Sequence, residues 1–344
     1  MADIAERFEA NPLLKPADIQ PSMDGLVVKC VFNPGAFRYG GRTGLLLRIA
    51  EFAPSDEHHV RVPIVDHSQD VQVLEFDRSQ IGNAGPCTFE VGGKAYLTSL
   101  SHLRLAWSDD GVHFEVDRKP TLLGIGDLET YGIEDCRVVR IGDVYHLTYS
   151  QVSPHGVGVG LATTTDWKRF ERRGMIIPPH NKDCALFPRK IDGQYVCLHR
   201  PSGAGIGGNY IWLARSTDLI HWGEHQCVAH SRDGQWDSAR IGAGAEPIET
   251  ADGWLCIYHG VSNGRYCLGG LLLDKHDPSR VIARSAEPIM EPTADYEAHG
   301  FVNAVVFTNG QIVDGDTVTI YYGGADTVTC GATMSMRKIL AGLR

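Results

Sequence analysis

The sequence predicts an all-β fold, a five-bladed β-propeller with its active site at the central channel, and three observations carry that prediction. Few stretches of the 344 residues hold a helical period; most are short runs rich in Val, Ile, Leu and Tyr, separated by Gly and Asp clusters among 39 glycines. One Gly-containing turn recurs at the entrance to apolar runs. A second motif, Asp four residues before an aromatic, alternates with it at a spacing of roughly fifty to sixty residues, which suits radially repeated antiparallel sheets.

The turns come in order as YGGRTGLLLR at Gly41, GGKAYLT at Gly93, IGDVYHLTYS at Gly142, IDGQYVCLHR at Gly193, ADGWLCIYHG at Gly253 and VDGDTVTIYYGG at Gly315. Each reads as a hairpin whose glycine supplies the positive φ that tight turns demand. Between them, SDDGVHF, TTDWKRF and STDLIHW pair Asp110 with Phe114, Asp166 with Phe170 and Asp218 with Trp222. The Asp can close a turn onto its own backbone while the aromatic anchors the next strand. No linker or low-complexity segment divides the chain. It reads as a single catalytic domain over 1–344, with a peripheral N-terminal arm to about residue 22 and a peripheral C-terminal tail from about residue 331.

Composition narrows the partners. A formal charge of −10 argues against a general nucleic-acid partner, since phosphate backbones want a basic surface. Nine cysteines, an odd number with no C-x-x-C pair, fit reduced thiols in a cytoplasmic protein better than a disulfide scaffold or a zinc site. The N-terminus lacks a signal-peptide core and no apolar run reaches membrane-spanning length, so no membrane partner is expected. The terminal MSMRKILAGLR and the N-terminal arm leave docking on a second copy, a homo-oligomer, open.

A propeller gathers polar residues from successive repeats at the mouth of its channel. The candidates are Asn33, Arg48, Glu134, Asp135, His180, Asn181, Lys182, Asp183, Arg200, Glu246, His259 and Asp326, most at the end of an apolar strand or in a Gly-rich turn. Buried there, such groups need partners or a ligand. Taken singly they have plain explanations: Arg48 pairing with Glu134, His259 as a core histidine, Lys182 and Asp183 as a solvated pair. Adjacent Glu134 and Asp135 open a strand, where neighbouring side chains face opposite ways. Arg48, His180, Lys182, Arg200 and His259 together make a cationic pocket suited to phosphate. Asn33, Asp135, Asp183 and Asp326 make a polar ring suited to sugar hydroxyls. An acid, an anion pocket and a sugar ring describe phosphorolysis of a glycoside, whereas carboxylates alone would describe hydrolysis. There is no G-x-S-x-G elbow, P-loop, dinucleotide fingerprint or metal-binding histidine spacing, and no cofactor or metal is expected.

FNPGAFRYGGRTGLLLRIAE, GIEDCRV, HNKDCALFPRKIDGQYVCLHRP, RIGAGAEPI, DGWLCIYHGV and YYGGADT together resemble glycoside hydrolase family 130, the β-mannoside phosphorylases and β-1,2-mannosidases, from about residue 10 to residue 330. The resemblance implies a five-bladed propeller and makes Asp135 the proton donor. Its proton would pass through the mannose 3-hydroxyl while an external nucleophile attacks C1 with inversion. By motif position it implies Arg48, His180, Asn181, Lys182, Arg200 and His259 as holders of inorganic phosphate, and Asn33, Asp183 and Asp326 as mannose contacts. Glu134 becomes a structural partner of Arg48 or Arg137.

Two positions depart from the pattern. His180 stands where some family phosphorylases have Arg, and a His is fully charged only when protonated. Glu246, in GAGAEPI, is a candidate water-activating base, or else a rim residue or ion-pair partner of Arg240. The expected activity is cleavage of β-linked manno-oligosaccharides, β-1,2 above all, to α-mannose 1-phosphate with phosphate as co-substrate. The alternative is an inverting β-1,2-mannosidase using Glu246; a non-catalytic sugar-binding propeller is more remote.

Overall fold

A computed structural model describes residues 3–66, 68, 70–85, 87–203 and 207–343. The chain lays down five antiparallel sheets in succession. The first contains Val27–Tyr39, Arg42–Phe52, Leu100–Ser108 and Glu115–Val116. The second contains Ile133–Ile141, Val144–Ser153, Gly156–Thr164 and Glu171–Ile177. The third contains Asn181–Leu186, Tyr195–Pro201, Ile211–Ser216 and Gly223–Ala229. The fourth contains Arg240–Ala243, Trp254–Ser262, Arg265–Leu273 and Val281–Arg284, with Ile248–Glu249 also on Trp254–Ser262. In the fifth, Val306–Asp314, Thr317–Gly324 and Val328–Ser335 are completed by Glu6–Arg7 from the other end of the chain.

Five of the six glycine turns lead from the first strand of a sheet to the second: Gly41, Gly142, Gly193, Gly253 and Gly315. Gly253 is the most constrained. It sits at φ 143, and a Cβ there would stand 2.2 Å from the Leu273 carbonyl oxygen. The sixth, Gly93, departs from the expected repeat. It joins Thr88–Val91 to Lys94–Leu97 inside an excursion, residues 53–99, that leaves the first sheet and forms a two-stranded and a three-stranded sheet of its own. Ordinary hairpin chemistry produces the same turn in both settings.

The Asp motif joins third strands to fourth strands. Asp110, Asp166 and Asp218 each accept two backbone N–H groups, from Val112 and His113, Lys168 and Arg169, and Ile220 and His221. Phe114, Phe170 and Trp222 pack onto the adjacent cores. A fourth copy without the aromatic is Asp274, which accepts from His276 and Asp277. The fifth sheet has no copy because its fourth strand comes from the N-terminus.

Apolar clusters bind each sheet to the next. Leu103 and Leu105 meet Ile133 and Leu147; Leu161 meets Cys184 and Cys197; Leu198 and Leu213 meet Ile241 and Trp254; Leu255 and Leu268 meet Val306 and Ile320. The series returns on itself, since Tyr321 of the fifth sheet packs with Leu45 and Leu47 of the first. Each such aliphatic side chain contributes about 1.5–3 kcal/mol by leaving water. The first strands also lie side by side: Val27–Tyr39 neighbours both Ile133–Ile141 and Val306–Asp314.

The C-terminal segment expected to be peripheral is partly core. Residues 331–335 belong to the strand Val328–Ser335, and Ile339 of the following helix, Met336–Ala341, is buried in the last cluster. In the N-terminal arm Leu14 is buried and Arg7 Nε donates to Glu297 Oε1 at 2.7 Å. All nine cysteines are free thiols. Among the described residues no helix is long and apolar enough to cross a membrane.

Candidate active site

The repeat of sheets becomes a repeat of polar groups through one irregularity. The pairing register of the first strand breaks at Phe32/Gly35, Glu134/Arg137, Lys182/Ala185 and Thr308/Gly310. Each break is a β-bulge, which re-aims the residue inside it. Asn33, Asp135 and Asp183 occupy three of these places with φ of 45°, 51° and 54°. Asn and Asp enter this left-handed region more readily than other non-glycine residues. Asn309 fills the fourth place. On the second strands, Arg48 stands opposite Phe32 and Arg200 opposite Lys182, while in the fourth sheet His259 faces Gly242. Equivalent positions of the five sheets thus deliver most of the candidate set.

The first cluster is built on Arg48. Its guanidinium donates from Nη2 to Glu134 Oε1 at 2.6 Å, from Nη1 to Asp135 Oδ1 at 3.1 Å and from Nε to Ser101 Oγ at 3.1 Å. It lies over the Phe32 ring at 4.6 Å. Asn33 Nδ2 also donates to Asp135 Oδ1, at 3.0 Å, and Lys182 Nζ is 3.6 Å from Glu134 Oε2. The two adjacent carboxylates therefore converge on one guanidinium and do not face opposite ways. The bulge at Asp135 interrupts the alternation that a regular strand would impose. Burial pushes the Asp135 carboxyl up, but Arg48, Lys182, the Asn33 hydrogen bond and Arg137 together hold it below the ordinary carboxylate value. Asp326, in the turn between the second and third strands of the fifth sheet, behaves oppositely. Burial, opposed by Arg48 and reinforced by the charges of Asp135 and Glu134, pushes it up to about 7.

The second cluster is built on Asp183. Arg137 Nη2 donates to its Oδ1 at 3.1 Å, Arg200 Nε to its Oδ2 at 2.6 Å, and His259 Nε2 lies 3.4 Å from Oδ2. The surrounding charges hold this buried carboxyl well below its ordinary range. Burial pushes His259 down, leaving a neutral imidazole against Phe307 at 4.5 Å. The cationic pocket expected from sequence is therefore an ion-paired network, because bare buried cations are too costly. Space here is tight: a Cβ at Gly242 would meet Asp183 Oδ2 at 2.1 Å and His259 Cε1 at 2.5 Å. Gly242→Ala is expected to lower stability by about 1–3 kcal/mol through this overlap, read from the urea midpoint.

Arg137, which sequence reading treated only as a partner for Glu134, joins the two clusters. Besides Asp183 it donates to the carbonyls of Asp135, Ala243 and Gly244 at 3.1, 2.8 and 2.7 Å. Its charge on a strand whose other residues from Cys136 to Val139 are apolar was the available signal. Asn309, also overlooked, donates from Nδ2 to the Asn33 carbonyl at 3.4 Å; only the bulge, invisible in sequence, equates it with Asn33.

Three candidates stand apart. The His180 side chain is exposed and packs on Gly156, outside both ion-pair clusters. Asn181 Oδ1 accepts from His199 Nδ1 at 3.1 Å, and His199 Nε2 accepts from His225 Nδ1 at 3.1 Å. Glu246 has neither Arg240 nor any site cation acting on it; burial pushes it up to about 8, and its Oε2 has no partner among the described residues. A carboxyl raised in the folded state binds more protons there than when unfolded. Its stabilising contribution is present at low pH and is lost as pH rises from its ordinary 4.5 to about 8. Glu246→Gln is expected to flatten this part of the stability-versus-pH curve and to raise the urea midpoint at pH near 8. No group of three or more His, Cys, Asp or Glu side chains placed to hold a metal ion occurs among the described residues.

A family model described as beta-1,4-mannooligosaccharide phosphorylase, of glycoside hydrolase family 130, matches residues 90–344. A beta-1,2-mannobiose phosphorylase of Listeria innocua is 43% identical over 343 residues, 97% of each chain. A 1,2-beta-oligomannan phosphorylase of a Thermoanaerobacter species is 41% identical over 71% of this chain and 82% of its own. The solved Listeria innocua enzyme in complex with beta-1,2-mannobiose superposes over 98% of both chains with a TM-score of 0.95. Matched over most of its length by the family model and nearly end to end by an enzyme of this kind, the chain belongs to glycoside hydrolase family 130.

Proposed function

We propose that this enzyme cleaves β-1,2-mannosidic bonds by inverting phosphorolysis, releasing α-mannose 1-phosphate. The observation that carries the reading is the pairing of one candidate acid, Asp135, with the cation Arg48, beside Lys182 on the neighbouring Glu134, in a chain so similar to a beta-1,2-mannobiose phosphorylase. Asp135 is the proton donor, acting through the mannose 3-hydroxyl as the family resemblance implies. Arg48, Lys182, Arg200 and His259 are the phosphate side; His180 and Asn181, which lie off the clusters, have supporting roles there at most. Asn33 and Asp326 meet mannose hydroxyls, and Asp183 sets the positions of Arg200 and His259. Hydrolysis would need a carboxylate to activate water across the sugar from the acid. Burial pushes the Glu246 carboxyl up to about 8 and it lies outside both clusters, which disfavours that alternative.

The same reading makes the chain one five-bladed propeller, each main sheet a blade. The cyclic succession of shared cores and the neighbouring first strands support it. A product that keeps the bond as a sugar phosphate suits a cytoplasmic enzyme. The test is β-1,2-mannobiose incubated with and without inorganic phosphate. Mannose 1-phosphate formed only with phosphate is the expected result; two free mannoses at a phosphate-independent rate overturn it.

A further inference from the structure

A general acid must hold a proton before the reaction starts, and Asp135 is poorly placed to do so in the unliganded site. Every group facing it bears on this. Arg48 from the first sheet and Lys182 from the third attract its negative charge, Asn33 donates a hydrogen bond to it, and Arg137 on its own strand adds a further cation. Against them stand Glu134, which shares Arg48 with it, and Asp326 in the fifth sheet. The carboxylate that should donate is thus kept ionised by the cations that should bind phosphate.

The charges of the two clusters are nearly balanced. Arg48, Arg137, Lys182 and Arg200 face Glu134, Asp135 and Asp183, with Asp326 nearby, its carboxyl pushed up by burial. A dianion placed among them engages Arg48 and Lys182 and leaves the site with excess negative charge. Both effects favour a proton on the carboxylate that has lost its partner.

We propose that the co-substrate loads the acid: a phosphate dianion taking over Arg48 and Lys182 frees Asp135 from its ion pair, and Asp135 takes up one proton from solvent as the anion binds. Phosphate remains a dianion, the carboxylate gains the proton that it later gives to the leaving sugar, and the buffer supplies it. This rests on the phosphorylase reading above and adds coupling between its two reactants. Without phosphate the acid stays unloaded, so mannoside bound alone is protected from wasteful hydrolysis.

The test uses the full chain and sulfate, a dianion that does not titrate near neutrality. Calorimetric titrations in buffers of different ionisation enthalpy count the protons taken up per anion bound. Wild type is expected to take up on the order of one proton per sulfate between the free and bound pKa values of Asp135, so that sulfate affinity rises up to ~10-fold per unit fall in pH. Asp135→Asn is expected to lose the uptake, and Asp326→Asn to keep it. Uptake that survives in Asp135→Asn, or disappears in Asp326→Asn, overturns the proposal by assigning the proton elsewhere. Should a variant fail to fold, sulfate inhibition of the wild-type reaction decides: inhibition constants that do not change with pH overturn the proposal. Mannose 1-phosphate formation without proton uptake removes this inference alone. If neither sulfate nor phosphate binds, the phosphorylase reading falls with it.

Discussion

Asp135→Asn is expected to lower the phosphorolysis rate by about 10²–10⁴-fold, the usual contribution of a general acid, with little change in thermal stability. The amide keeps the shape of the side chain and leaves Arg48 paired with Glu134 at 2.6 Å and bonded to Ser101. It removes only the group that can carry a proton to the leaving oxygen. The loss should fall on kcat, because the sugar and phosphate contacts survive; mannose 1-phosphate release under saturating substrates measures it. A rise in KM with kcat unchanged would make Asp135 a binding residue and move the acid elsewhere.

Asp183→Ala should have the largest effect on stability, about 3–5 kcal/mol, the cost of removing one partner from a buried ion pair. Arg137 and Arg200 both direct guanidinium hydrogen bonds at this carboxylate, and each is almost wholly buried. Without it, two cations face each other across a cavity, and the carbonyls held by Arg137 lose their fixed donor. Urea unfolding followed by tryptophan fluorescence should show a lower midpoint with an unchanged slope. Wild-type stability in this variant would mean that Arg200 and Arg137 find other partners. The contrast with Asp135→Asn separates the two carboxylates: one is expected to serve chemistry with little structural consequence, the other to serve structure first.

The fold was legible wherever it depends on local chemistry. Gly41, Gly142, Gly193, Gly253 and Gly315 mark the first turn of each sheet, and Asp110, Asp166 and Asp218 the last. Gly93 misled because a hairpin in an excursion needs the same glycine as a hairpin in a main sheet. Asp274 escaped because it keeps the backbone-capping carboxylate and drops the aromatic. In the site, the residue types were readable and their orientations were not. The convergence of Glu134 and Asp135 depends on a backbone φ of 51°, which no side-chain pattern encodes. Likewise the upward push on the Glu246 carboxyl comes from what surrounds it in three dimensions, and GAGAEPI does not state its neighbours. The partnership of Arg7 with Glu297 spans 290 positions and has no local trace.

That long reach has a consequence for how the molecule is made. Glu6–Arg7 is synthesised long before the strand it pairs with, Val328–Ser335. Until that strand is made, Glu6–Arg7 lacks its partner and the fifth sheet lacks its fourth strand. This pairing must await the later strand, and contacts of such sequence separation form slowly. The N-terminal strand also covers the outer edge of Val328–Ser335. A chain cleaved before Leu14 would bare an edge ready to pair with another molecule, so Glu6–Arg7 guards the whole against self-association.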